Sequence, residues 1–314
     1  MKEEKSKQTM KAIVVTDPNM DTNGMTLQSR PVPEPALNDV IVQVYASGFT
    51  SGELTWPSTW TDRLGRDRSP SVPGHELAGV VIALGYGATG VSLGQRVFGL
   101  TDWTRDGSLA EYIAVEARNL APLPGDIDFT DGASIIIPGL TAWQGLFDLG
   151  RLQAGQSVLV HGVAGAVGSM AAQLAHHAGA YVIGTGRGDD QQAAFEFGAH
   201  EFVNLEKDSL QDIGSVDLVF DVFGGEIAEK SASLIRPKGT LVTIAGPTDV
   251  KPADGIAIDF VVEANRTQLI EIAGLLRNGK LKTNIGQIES LENAVTAFNP
   301  TRKIKGKTII QVRK

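Results

Sequence analysis

Residues 158–168 read VLVHGVAGAVG. The first three are an unbroken apolar run, as expected of a short strand buried on both faces of a parallel sheet. His161 follows, then Gly162, Gly165 and Gly168 at every third position, and the alanine-rich stretch 167–178 reads as a helix. A strand that turns through glycines straight into a helix presents backbone N–H groups and the positive end of the helix dipole, where only glycine lets a pyrophosphate approach. The commoner G-x-G-x-x-G spacing would need a glycine at Val163, so this is a variant. A bare turn could carry the same letters. The context of strand, glycine turn, helix and second strand favours a nucleotide site.

The second strand decides which nucleotide. Residues 181–183 run into Gly184, Thr185, Gly186 and Arg187, with no acid before Asp189. NAD binders place a carboxylate near that point to accept the ribose hydroxyls. Its absence, followed by an arginine, suits the 2′-phosphate of NADPH.

Outward from this unit the alternation continues. Helices are expected at 128–137, 140–149, 190–197, 227–235 and 267–278, and strands at 201–204, 217–222, 240–245 and 260–263. Alternation of this kind gives a parallel sheet covered on both faces. Residues 1–9 read as a polar tail. From 10 to about 123 the chain reads instead as strands at 10–16, 39–46, 77–84, 95–100 and 109–115, a small β-barrel-like domain. Val40, Val42 and Val44 alternate at period two. The end returns to this pattern, with a helix at 290–298 and a strand at 307–312.

Composition narrows the function. A net charge of −8 argues against a nucleic-acid partner, and zero cysteines exclude disulfides, a catalytic thiol and thiolate-bound metal. No apolar run is long enough to span a membrane, and no signal-like segment opens the chain, so a cytoplasmic location is expected.

Further stretches complete a pattern: PGHE at 73–76, GQRV at 94–97, GSLAEY at 107–112, GLTA at 139–142, DLVFDVFGG at 217–225, KGTLVTIAG at 238–246 and KGK at 305–307. With the glycine turn, these resemble the medium-chain dehydrogenase/reductase superfamily, specifically its zinc-free quinone oxidoreductase-like (zeta-crystallin-like) members. The resemblance implies an α/β architecture. A GroES-like β-barrel catalytic domain would span 1–124 and 265–314, and a Rossmann doubly wound parallel-sheet domain 125–264. It implies subunits that pair as a homodimer through the nucleotide domain. It also implies a cofactor held by Thr50, Thr141, Gly162, Ala164, Gly165, Ala166, Val167, Gly168, Thr185, Gly186 and Arg187, with Ala245, Gly246, Pro247, Phe260, Val261 and Val262 along it. Asp190 stands where some relatives carry a phosphate-binding lysine, so Arg187 must serve.

The departures bear on chemistry. Zinc-dependent relatives combine a cysteine, the histidine of Gly-His-Glu and a further cysteine or acid. Here His75 and Glu76 lack such partners, and no zinc is expected. Relatives with an N-x-x-D motif correspond to Thr50-x-x-Glu53. Without a Lewis acid an alcohol is a poor substrate. A quinone or an α,β-unsaturated carbonyl needs only hydride, a hydrogen bond and a proton. Thr50, Glu53 and Tyr45 are the candidate catalytic groups, with water also able to supply the proton. Phe49, Trp56, Trp60 and Trp103 would suit stacking on a flat small-molecule substrate, or simply pack the core. Two other readings fit the same residues: a non-catalytic NADPH-binding or regulatory protein, and a carbonyl reductase of the same superfamily.

Overall fold

The computed structural model describes residues 8–302 and 304–314. In chain order the strands are β1 (Thr9–Val14), β2 (Thr26–Pro31), β3 (Asp39–Gly48), β4 (Glu76–Leu84), β5 (Arg96–Leu100), β6 (Tyr112–Glu116), β7 (Leu120–Pro122), β8 (Ser157–Val160), β9 (Tyr181–Gly186), β10 (Glu201–Asn204), β11 (Val216–Asp221), β12 (Ile235–Thr243), β13 (Gly255–Asp259), β14 (Ile285–Ser290) and β15 (Lys307–Gln311). They divide between two compact units. The first comprises Met1–Ile136, Ala264–Ala273 and Ile285–Lys314, the second Ile137–Glu263 and Gly274–Asn284.

The first unit is β-rich. Its main sheet runs β14-β15-β3-β4-β5-β7, with β6 also paired to β3, and β1 and β2 form a separate antiparallel pair. The alternating valines of β3 all point into one core with Leu77, Val81, Val97 and Leu120. A second core gathers Ile13, Val14, Phe49, Leu109 and Ile310.

The second unit is a six-stranded sheet in the order β10-β9-β8-β11-β12-β13. Every neighbouring pair is parallel. Strand order therefore reverses between β8 and β11, and in open parallel sheets ligands bind outside the carboxyl ends at such a point. The helix Ala166–His177 leaves β8 there, its inner face buried from Gly168 to Ala175. No helix among the described residues is long and apolar enough to cross a membrane.

Several expected boundaries move, each for a physical reason. The expected tail is shorter, because the Gln8 carbonyl accepts from Val32 N–H and Thr9 opens β1; residues 1–7 lie outside the described residues. The expected domain boundary after 124 falls instead at Ile136, since the helix Phe129–Ser134 packs on β3, β4 and β15. Residues 274–284 likewise belong with the second unit. The expected helix over 227–235 ends at Ala232, and Ile235 already begins β12. The expected strand at 260–263 is displaced to β13, whose register is set by pairing with β12 from Gly239↔Gly255 to Thr243↔Asp259.

Two glycines of the turn have different reasons to be glycine. Gly162 has φ +63°, which favours a residue without a side chain. Gly168 has ordinary dihedrals, but a β-carbon there would lie 2.1 Å from the Gly162 carbonyl oxygen. Gly165 is looser, with φ −77° and a β-carbon 3.1 Å from the same oxygen. We expect Gly168→Ala to cost about 3 kcal/mol, the upper end of overpacking penalties, and Gly165→Ala much less. Thermal melts of both variants check this; equal melting temperatures would contradict it.

Candidate functional site

The carboxyl edge of the parallel sheet is built by hard contacts. A β-carbon on Gly162 would meet Val222 and Phe223 beyond β11, at 2.9 and 3.1 Å, and one on Gly224 would meet Ala245 beyond β12 at 2.8 Å. The ends of β8, β11 and β12 are thus packed side by side. The predicted residues Ala164–Gly168, Arg187, Ala245–Pro247 and Phe260–Val262 all lie in segments leaving the carboxyl ends of β8, β9, β12 and β13. Gly165 caps the helix without a side chain, so the first-turn N–H groups at Ala166, Val167 and Gly168 lack intrahelical acceptors. These N–H groups and the positive end of the helix form an anion cradle. Thr141 is buried on the helix Ile136–Trp143.

Beneath the turn lies a buried polar network. His161 Nδ1 meets the Thr185 hydroxyl at 2.8 Å, and Nε2 meets the Ser231 hydroxyl at 2.8 Å. Ser231 donates to the Ile227 carbonyl, so it must accept from His161 Nε2–H, and Thr185 must donate to Nδ1. That assignment requires a neutral imidazole. Burial supplies it, lowering the His161 pKa to about 4. Asp221 accepts from the Phe223 and Gly224 N–H groups and from the Thr243 hydroxyl. Thr185, expected at the cofactor, is fully buried and its hydroxyl is committed to His161. Its carbonyl accepts from Val163 N–H, so Thr185 supports the turn from below. The sequence offered one signal for this network, a histidine at the end of a buried strand.

At the end of β9, Arg187 is exposed and its N–H donates to the Asp190 carboxylate at 3.1 Å. The carboxylate missing from the strand end in sequence is thus folded back to it from three residues on.

In the first unit two of the three predicted catalytic groups, Thr50 and Glu53, come together. The Glu53 carboxylate accepts from Thr50 N–H at 2.9 Å and Gly74 N–H at 2.8 Å, and Oε2 lies 3.9 Å from His75 Nε2. Glu53 is fully buried, and that burial raises its pKa to about 8 against the pull of the two N–H donors. His75 Nδ1 meets the Thr101 hydroxyl at 2.8 Å, and burial lowers the imidazole to about 3. Glu76 pairs with Lys307 of β15, both buried. Trp103 stands edge-on to His75, centroids 4.9 Å apart, and to Trp56 at 5.2 Å. Thr50 is half-buried beside them.

The other predicted aromatics belong elsewhere. Phe49 is buried in the core against Phe298, Trp60 donates its indole N–H to the Leu54 carbonyl while packing on that core, and Tyr45 stacks on Phe129. Glu53, proposed from sequence as catalytic, is buried and accepts from both the Thr50 and Gly74 N–H groups.

A β-rich unit joined to a parallel sheet in this strand order defines a GroES-like domain with a Rossmann-like domain. Family models agree: the alcohol dehydrogenase GroES-like domain matches residues 36–125, and the zinc-binding dehydrogenase model matches 166–279. Human quinone oxidoreductase (Homo sapiens) is 32% identical over 286 residues, covering 85% of this chain and 86% of that protein. The 2-methylene-furan-3-one reductase of Solanum lycopersicum is 30% identical over 297 residues, covering 89% and 73%. The structure of the quinone oxidoreductase from Coxiella burnetii superposes with a TM-score of 0.89 at 26% identity, covering 98% of this chain and all of that one. The chain belongs to the quinone oxidoreductase-like family of the medium-chain dehydrogenase/reductase superfamily.

The two buried titratable groups of the first unit set opposite pH dependences. Glu53 keeps its proton in the fold up to about pH 8, whereas the unfolded carboxyl loses it near 4.5. The folded state binds more protons across that window, so this contribution to stability is full below 4.5 and lost as pH rises through 8. His75 resists protonation down to about 3, against 6.5 unfolded, and its contribution is lost as pH falls below 6.5. We expect Glu53→Gln to flatten the loss of stability between pH 5 and pH 8, by a few kcal/mol at most. Urea unfolding at those two pH values reads this out; an unchanged slope would show Glu53 ionised in the fold.

Proposed function

We propose that this chain is an oxidoreductase that moves hydride from NADPH to a quinone or an α,β-unsaturated carbonyl, with no metal taking part. The observation that carries the reading is the glycine turn at the β8/β11 switch point. There Gly162 and Gly168 bring a strand end and a helix start too close for side chains, and unpaired helix N–H groups remain for an anion. These residues fit the pyrophosphate of a dinucleotide. When bound, NADPH supplies a hydride from its nicotinamide ring. The turn would hold the pyrophosphate, and Arg187 would pair with the 2′-phosphate. Thr50 would offer its hydroxyl to the acceptor oxygen, on a loop kept in place by Glu53. Trp56 and Trp103 would present flat apolar surface to a planar acceptor.

The residues present do not fit a catalytic zinc, which takes three protein ligands within about 2.3 Å. Both Glu53 oxygens accept backbone N–H groups, Glu76 is paired with Lys307, His75 Nδ1 is engaged by Thr101, and the chain has no cysteine. The names of the relatives agree with activated acceptors: quinones, and a furanone whose methylene group is conjugated to a ketone. We also take the chain to be a cytoplasmic homodimer, with β13 as the outer strand of its sheet and Ile256 exposed along it.

One observation favours NADH instead: Asp190 brings a carboxylate to the end of β9, where it could accept ribose hydroxyls and repel a 2′-phosphate. Titration with both nucleotides decides. On the NADPH reading, the wild type prefers NADPH, and Arg187→Ala weakens NADPH binding at least about tenfold while leaving NADH unchanged, as for loss of a charge-assisted contact. Tighter NADH binding by the wild type would establish the alternative.

The activity is tested by following NADPH consumption with a panel of quinones, enals and enones. Turnover by a preparation without stoichiometric zinc, unaffected by chelators, is the expected result. Binding of NADPH without turnover of any acceptor would point to the non-catalytic role. Turnover abolished by chelation would overturn the metal-free mechanism.

A further inference from the structure

The glycine turn is held from outside the strand–helix unit that forms it. Leu281 is buried, and the segment it opens lies along the helix Ala166–His177. Gln173 of that helix exchanges two hydrogen bonds with the backbone of Lys282, accepting from its N–H at 2.7 Å and donating to its carbonyl at 3.1 Å. This pairing fixes the register of the segment. Two residues on, Asn284 Nδ2 donates to the Ala164 carbonyl at 2.9 Å, with the Ser169 hydroxyl at 3.2 Å and the Gly165 carbonyl at 3.4 Å.

The consequence follows from peptide planarity. In a trans peptide the C=O and the following N–H point in opposite directions. The Ala164–Gly165 peptide is gripped at both edges: Asn284 holds its carbonyl, and its N–H donates to the Gly162 carbonyl at 2.8 Å. The next carbonyl, of Gly165, accepts from Ser169 N–H inside the helix, so the Ala166 N–H is aimed the opposite way, out of the helix end. Asn284 Nδ2 also reaches the Gly165 carbonyl, opposite the Ala166 N–H, so its removal loosens both the Ala164–Gly165 peptide and the one that aims the Ala166 N–H.

We infer that Asn284 is a positioning residue for the nucleotide, clamping the Gly165 turn so that the helix N–H groups are set for a phosphate before it arrives. Such preorganisation raises affinity by removing an ordering cost from binding. The inference rests on the nucleotide reading of the same turn.

The test compares wild type with Asn284→Leu, which keeps the branched shape and removes both donors, and Asn284→Asp, which sets a carboxylate against the Ala164 carbonyl. NADPH affinity is measured by fluorescence titration, and amide hydrogen exchange of residues 164–168 is measured in the unliganded protein. We expect Asn284→Leu to raise the Kd for NADPH about tenfold and Asn284→Asp to raise it further. Exchange at Gly165 should quicken, while kcat at saturating NADPH and KM for the acceptor should stay at wild-type values. If Asn284→Leu does not fold, Asn284→Ser replaces it under the same criteria. Unchanged Kd and exchange, in a chain whose wild type binds NADPH, would overturn this inference and leave the proposed function standing. A wild type that binds neither NADPH nor NADH would overturn the nucleotide reading and this inference with it. A fall in kcat at unchanged Kd would also overturn it, because a clamp on the pyrophosphate turn acts on binding and not on the acceptor.

Discussion

The first turn of the helix Ala166–His177 runs so near the end of β8 that a β-carbon at Gly168 would stand 2.1 Å from the Gly162 carbonyl oxygen. That distance leaves no room for adjustment, and much of the second unit follows from it. It fixes where the helix starts, hence which N–H groups face outward and which side of the sheet the helix covers. It also puts His161, directly before Gly162, where its ring can reach both Thr185 and Ser231. The polar network under the turn is the counterpart of the steric contact above it. Each buried donor meets an acceptor, so the cost of removing them from water is offset.

The first unit is organised differently, around charge. Glu53, His75, Glu76 and Lys307 are all buried within a few residues of one another in space, and only Glu76 and Lys307 form an ion pair. Glu53 and His75 meet the cost of burial by staying neutral over most of the physiological range, each held by hydrogen bonds. In relatives that bind zinc, an acid and a histidine at such positions would face a cation. Here they face backbone N–H groups and a threonine hydroxyl.

Much of the second unit was legible in the sequence because its signals are local. A continuous apolar strand, a glycine turn and an alanine-rich helix follow one another in residues 158–178. β2 and β14 left no such trace: neither contains a buried residue, and their half-buried and exposed positions alternate without an apolar repeat in the sequence. β13 was misplaced because the strongly apolar residues after Asp259 lie beyond the stretch that pairs with β12. The site followed the same rule. The glycines could be read in place, whereas the fate of Phe49 depends on Phe298, far along the chain. Thr185 was expected at the cofactor from the family resemblance, and only the fold shows His161 beside its hydroxyl. The return of Asp190 to the strand end needed the short 3-10 turn Gly188–Asp190, which no hydrophobic pattern announces.

The pairing of Glu76 with Lys307 has a consequence for synthesis. Glu76 opens β4 near the middle of the first unit's sheet, while its cation lies on β15, which joins that sheet beside β3. On a chain made from its amino end, the residues of β3 and β4 emerge long before β15 exists. The main stretch of the second unit, Ile137–Glu263, emerges between them and can settle on its own contacts. Glu76 therefore gains Lys307 only once β15 has been made, so the sheet of the first unit depends on residues that follow the whole main stretch of the second.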